Sequence, residues 1–175
     1  MTRSIASTLP LLLALCACEA NTEAASRSPD DAEADAHSEA FAGAPEGTAT
    51  IASLLAARHA EDLPEAETLA AHANAEASLR WLAREGEGLA VRTRALMSLR
   101  FYGSEETREL LLGVLTDEGT HPALRAAAIT GTGGLEFRDT DELRVLIEAG
   151  QSSADPRVQK AATRRLSGAD ELAAP

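Results

Sequence analysis

Large rings are scarce in this chain. One Trp, one Tyr and three Phe make up 3% of its 175 residues. A core or an adhesive interface built on aromatic anchors is therefore excluded, and packing must come from Leu, Val, Ile and Ala. Lysine is nearly missing too: Lys160 is the only one, and Arg carries the remaining basic charge. Cysteine occurs only as Cys16 and Cys18, so a disulfide framework has no other thiols to draw on. Bases are outnumbered, 16 against 28 acids, for a formal charge of −12. Such a balance argues against nucleic acid, whose phosphates need Lys and Arg, and against electrostatic adhesion to anionic lipid headgroups. The longest apolar run, Ile5 to Leu15, is interrupted by Ser7, Thr8 and Pro10. It falls short of the roughly 20 residues that span a bilayer core.

What that run does offer is a leader. Arg3 precedes it, and small residues end it at "LCAC", residues 15–18. A basic start, a short apolar middle and a small-residue end describe a secretory signal peptide. The quartet Leu15-Cys16-Ala17-Cys18 resembles the bacterial lipobox: Leu, a small residue, Gly or Ala, then Cys. Taking Cys16 as the anchor instead would put the bulky Leu15 before it, so the resemblance selects Cys18. It implies a signal peptide over 1–17, diacylglycerol attached to the Cys18 thiol and cleavage before it. The implied address is the bacterial cell envelope, with the domain held on the membrane by lipid. Glu19 follows the modified Cys, and the outer membrane is the expected destination.

Residues 19–48 contain eight acids and one base, Arg27, and Phe41 is their only bulky apolar residue. That composition buries too little surface to offset chain entropy, so 18–48 reads as a disordered acidic linker. As a coil it reaches roughly 30 Å.

From residue 49 to 175 the pattern becomes helical and repeats. Three segments align: "LAVRTRALMSL" (89–99), "PALRAAAITGT" (122–132) and "PRVQKAATRRL" (156–166). Each has an apolar residue, then Arg or Gln, two variable residues, then Ala: Val91-Arg92…Ala95, Leu124-Arg125…Ala128 and Val158-Gln159…Ala162. A period of 33 to 34 residues is the signature of stacked helix pairs. Pro122 and Pro156 sit at matching offsets, where a first helical turn tolerates proline. Asp155 and His121 precede them as caps. A second helix follows in each copy, 105–115 capped by Ser104 and 141–150 capped by Thr140. Turns are expected at 101–103 and 134–139, and linkers at 116–121 and 151–154. Upstream, 48–60 and 63–87 also read as helices, with Trp81 and Leu82 one period before Val114 and Leu115.

Asp155-Pro156-Arg157-Val158 and His121-Pro122-Ala123-Leu124-Arg125 resemble the start of short bacterial HEAT-like repeats, with Gln159 in place of the usual Arg and His121 in place of Asp. The resemblance covers 89–168. It implies an all-α fold, a short right-handed α-solenoid of about three helix pairs. It further implies that the second helices line a concave face that binds partners, where Arg80, Arg84, Arg108, Glu109, Arg144 and Glu148 are the candidates.

Chemistry is thin. His37, His59, His72 and His121 show no ligand spacing, and no metal motif appears. "GTGG" (131–134) lacks the preceding strand and following Lys of a phosphate loop; glycines ending a helix in the left-handed conformation are the better expectation. No nucleophile elbow or Ser/His/Asp set is present. No catalytic residue, metal or cofactor is expected. The leading reading is a non-enzymatic interaction module or scaffold for an unidentified protein partner. The alternative is an enzyme or enzyme accessory, because some HEAT-like proteins are lyases.

Overall fold

The computed structural model describes residues 41–56, 63–134 and 141–168. Every regular element among them is helical: α1 (Thr48–Leu55), α2 (Ala66–Ala70), α3 (Ala75–Glu85), α4 (Leu89–Ser98) running into a 3-10 turn (Leu99–Phe101), α5 (Glu105–Thr116), α6 (Pro122–Gly131), α7 (Asp141–Gln151) and α8 (Pro156–Leu166). The leader, most of the linker, the end of the helix expected over 48–60, the Thr140 cap and the C-terminal tail lie outside the described residues.

Local chemistry starts these helices where the sequence places them. The Ser104 hydroxyl accepts from Thr107 N at 3.2 Å. His121 Nδ1 accepts from Ala123 N at 3.2 Å, and Asp155 Oδ1 from Arg157 N at 2.8 Å. Each pairs a donor that the first helical turn would leave open. Arg157 also binds the Asp155 carboxylate, and that hydrogen bond leads in holding the carboxyl down at about 2.

The aligned positions share a burial pattern. Ala95, Ala128 and Ala162 are all completely buried, and Leu124 and Val158 are nearly so; Val91, at the same place in the first copy, is only partly buried. The small side chains let α4, α6 and α8 pack side by side, α4 on α6 and α6 on α8. In two of the three copies the residue after the apolar one reaches backward: Arg92 Nε donates to Ala83 O of α3 at 3.1 Å, and Gln159 Nε2 to Ser153 O, two residues past the end of α7, at 2.7 Å; among the described residues Arg125 Nε makes no such bond. Carbonyls at a helix C-terminus lack partners within the helix and carry its negative dipole end. In those two copies the position is therefore structural.

Three features differ from expectation. Among helices consecutive in the chain, the packed neighbours are α3 with α4, α5 with α6, and α7 with α8. The second helix of one repeat thus packs on the first helix of the next, while α4 and α5, expected as one pair, touch little. The helix expected over 63–87 is two helices, because Asn74 adopts the left-handed conformation (φ 60°). Uninterrupted, Leu69 and Leu82 would point about 140° apart at roughly 100° per residue; the break lets both be buried. Gly131, Gly133 and Gly134 are not left-handed either. A Cβ on Gly131 would overlap the Leu96 carbonyl of α4, and one on Gly134 the Arg100 carbonyl. Close backbone approach is why glycine stands there.

Residues 41–47, read from sequence as linker, are in contact with α3. Phe41 tilts against Trp81 with ring centroids 5.8 Å apart. Thr48 Oγ1 lies 3.0 Å from Ser78 Oγ, and both residues are buried.

Candidate functional site

Six side chains are expected on the second helices, and the structure divides them. Arg80 on α3 is drawn into a polar cluster. Its guanidinium lies 3.4 Å from Glu76 Oε1 and donates to Ser104 Oγ at 2.9 Å. The same Glu76 oxygen accepts from Thr107 Oγ1 at 2.6 Å, from Ser104 N at 3.3 Å and from the Ser104 hydroxyl. Burial alone would raise the Glu76 carboxyl. The hydrogen bonds from Ser104 and Thr107 and the charge of Arg80 outweigh it and hold the carboxyl below its ordinary value. The cluster clamps the start of α5 to α3. Tyr102 stands at its margin, its hydroxyl raised by burial first and by the Glu76 charge second.

Arg84, one turn after Arg80, is exposed and separates two grooves. The larger, about 670 Å³, runs between Ala42, Gly43 and Pro45 on one side and Ala77, Trp81, Arg84 and Glu85 of α3 on the other. The smaller, about 350 Å³, lies between Arg84 and α5. Leu110, Gly113 and Val114 are its apolar lining, with Glu109, Asp117 and Thr120 around them. Asp117 is occupied by a local turn: its carboxylate accepts from Gly119 N at 2.9 Å and Thr120 Oγ1 at 2.8 Å. Those bonds, the Thr120 one first, hold it below its ordinary value. Among the described residues, no hydrogen bond or ion pair engages the Arg84 or Glu109 side chain.

The other candidates sit apart from this groove. Arg108, half-buried, is 3.7 Å from Glu105. Arg144 and Glu148 pair with each other at 3.0 Å on the exposed face of α7. Cys18 lies outside the described residues. Two contributors escape the sequence reading. Trp81 stands out there for its repeat position alone, and Gly113 is hidden inside an expected helix.

Gly113 nevertheless carries a signal. A glycine in a helix interior costs about 1 kcal/mol relative to Ala, and it normally marks close packing. Here a Cβ would meet nothing within 4 Å. Gly113→Ala is therefore expected to stabilise the fold by about 0.5–1 kcal/mol, measured as a raised midpoint in urea denaturation.

Among the described residues no group of His, Cys, Asp and Glu could hold a metal ion, and no helix is long and apolar enough to cross a membrane. Comparison with protein-family models, curated proteins and solved structures finds no match to this chain.

Proposed function

We propose that this protein is a lipid-anchored component of the bacterial envelope, held through Cys18, whose HEAT-like α-solenoid is a non-enzymatic interaction module for another protein. The observation that carries the interaction reading is the groove between α3 and α5. It is apolar along Leu110 and Val114, indented at Gly113, and bordered by the uncommitted charges of Arg84 and Glu109. An apolar floor with a charged rim is the anatomy of a protein interface. The side-by-side packing of α4, α6 and α8, with α3, α5 and α7 forming a second, looser row, supports the solenoid reading. The lipobox resemblance at residues 15–18 supports the anchor, since several acyl chains hold a soluble domain on a bilayer firmly.

The test is a cross-linking pull-down from native membranes with wild type, Cys18→Ala and Arg84→Glu. Cys18→Ala is expected to leave the membrane fraction and lose its partner. Arg84→Glu is expected to stay membrane-bound, keep its helical circular dichroism and lose the partner. A Cys18→Ala chain that remains in membranes with its partners refutes the anchor. A partner retained at full yield by Arg84→Glu refutes the groove.

A further inference from the structure

Two uncommitted charges of opposite sign border one apolar strip. Arg84 on α3 and Glu109 on α5 line the same groove, yet they form no ion pair with each other. Gly113, one turn after Glu109 on α5, lines the same groove, and a Cβ there would meet nothing within 4 Å. The fold does not require that glycine, because an added Cβ would meet open space.

We propose that this groove is a self-association site, in which a second copy of the chain docks across a two-fold axis and Arg84 of each copy enters the other's Gly113 indentation to pair with Glu109. The charge pattern of the groove favours a second copy. A two-fold contact sets a patch against itself, so the patch must carry both signs on opposite sides of the axis. Arg84 and Glu109 meet that condition. An axis between them, lying in the plane of contact, lays α3 of one copy over α5 of the other. Leu110 and Val114, only partly buried in one copy, then lose their remaining water. The inference rests on reading the α3–α5 groove as an interaction surface and not on lipid attachment.

The experiment uses the full chain in cell membranes, treated with a short bismaleimide. Gly113→Cys is expected to give a covalent species of twice the chain mass. The parent chain controls for Cys16 and Cys18, and Thr163→Cys, exposed on α8, controls for random collision. Added to Gly113→Cys, Arg84→Glu or Glu109→Arg alone is expected to cut the dimer about tenfold, because two symmetry-related pairs become repulsive. The two together restore it. The proposal fails if Gly113→Cys dimerises no better than Thr163→Cys, or if Arg84→Glu leaves the yield unchanged. A Gly113→Cys cross-link to a chain of another mass, without dimer, also overturns it, while leaving the hetero-partner reading of the groove standing.

Discussion

Gly131→Ala is expected to cost about 3 kcal/mol of folding stability and lower Tm by about 10 °C or more. Gly131 is the last residue of α6 and is buried. A methyl group there would overlap the Leu96 carbonyl and crowd a Leu111 methyl at 3.1 Å. The first obstacle is backbone, which cannot swing aside as a side chain can. Relief requires α6 to slide away from α4, opening the contact around Ala95 and Ala128. Better helix propensity returns at most about 1 kcal/mol, so the sign is set by the overlap. Gly113→Ala, the same substitution on a neighbouring helix, shifts stability the other way. Urea denaturation of both variants checks the pair; equal effects would mean that α6 does not approach α4 this closely.

The second large effect lies in the Glu76 cluster. Glu76→Ala removes the acceptor shared by Ser104, Thr107 and Arg80, and Thr107 is fully buried. Unpaired buried donors, with Arg80 left on hydroxyl partners alone, cost about 2–3 kcal/mol. Glu76→Gln keeps an oxygen and is expected to lose about half as much. Acid separates the two chemistries. The folded carboxyl titrates below its ordinary value of 4.5. Its stabilisation is therefore fully present above that value and disappears as pH falls through the folded pKa. The gap between wild type and Glu76→Gln should be open at pH 7 and shrink steadily below about pH 4. A gap that stays constant down to pH 2 would show that the carboxylate charge contributes nothing.

Local chemistry is legible in the sequence. Caps at Ser104, His121 and Asp155 are readable because each binds a donor two or three residues away. The alignment of Ala95, Ala128 and Ala162 is readable because a buried stripe repeats at fixed spacing. Partner choice is not. Periodicity says that α4 has an apolar face, but not whether α3 or α5 covers it. The break at Asn74 is hidden in an alanine-rich stretch with good helix propensity, and tertiary burial of Leu69 overrides it. The site is legible to the extent that its helices are. Arg84 and Glu109 meet in one groove, whereas Arg80 pairs with Glu76 one turn before it on the same helix, a spacing open to sequence reading. The hydroxyls of Ser104 and Thr107 that complete the cluster arrive from 28 and 31 residues away, and no local pattern encodes their meeting with Glu76. The glycines of "GTGG" read as helix punctuation, and their actual neighbours, Leu96 and Arg100, are equally remote along the chain.

The Phe41 ring against Trp81 sets how this domain answers to mechanical load. A pull applied to the chain at residue 41 reaches that ring contact first, then the Thr48 hydroxyl, which donates to Pro45 O at 2.6 Å and accepts from the Ser78 hydroxyl at 3.0 Å. These links stand in series, so they release in succession, as a zipper opens. Helices α4, α6 and α8 lie behind them, locked flank to flank. Under tension the segment 41–47 would therefore peel and lengthen first, a fuse that yields before the helical body is strained.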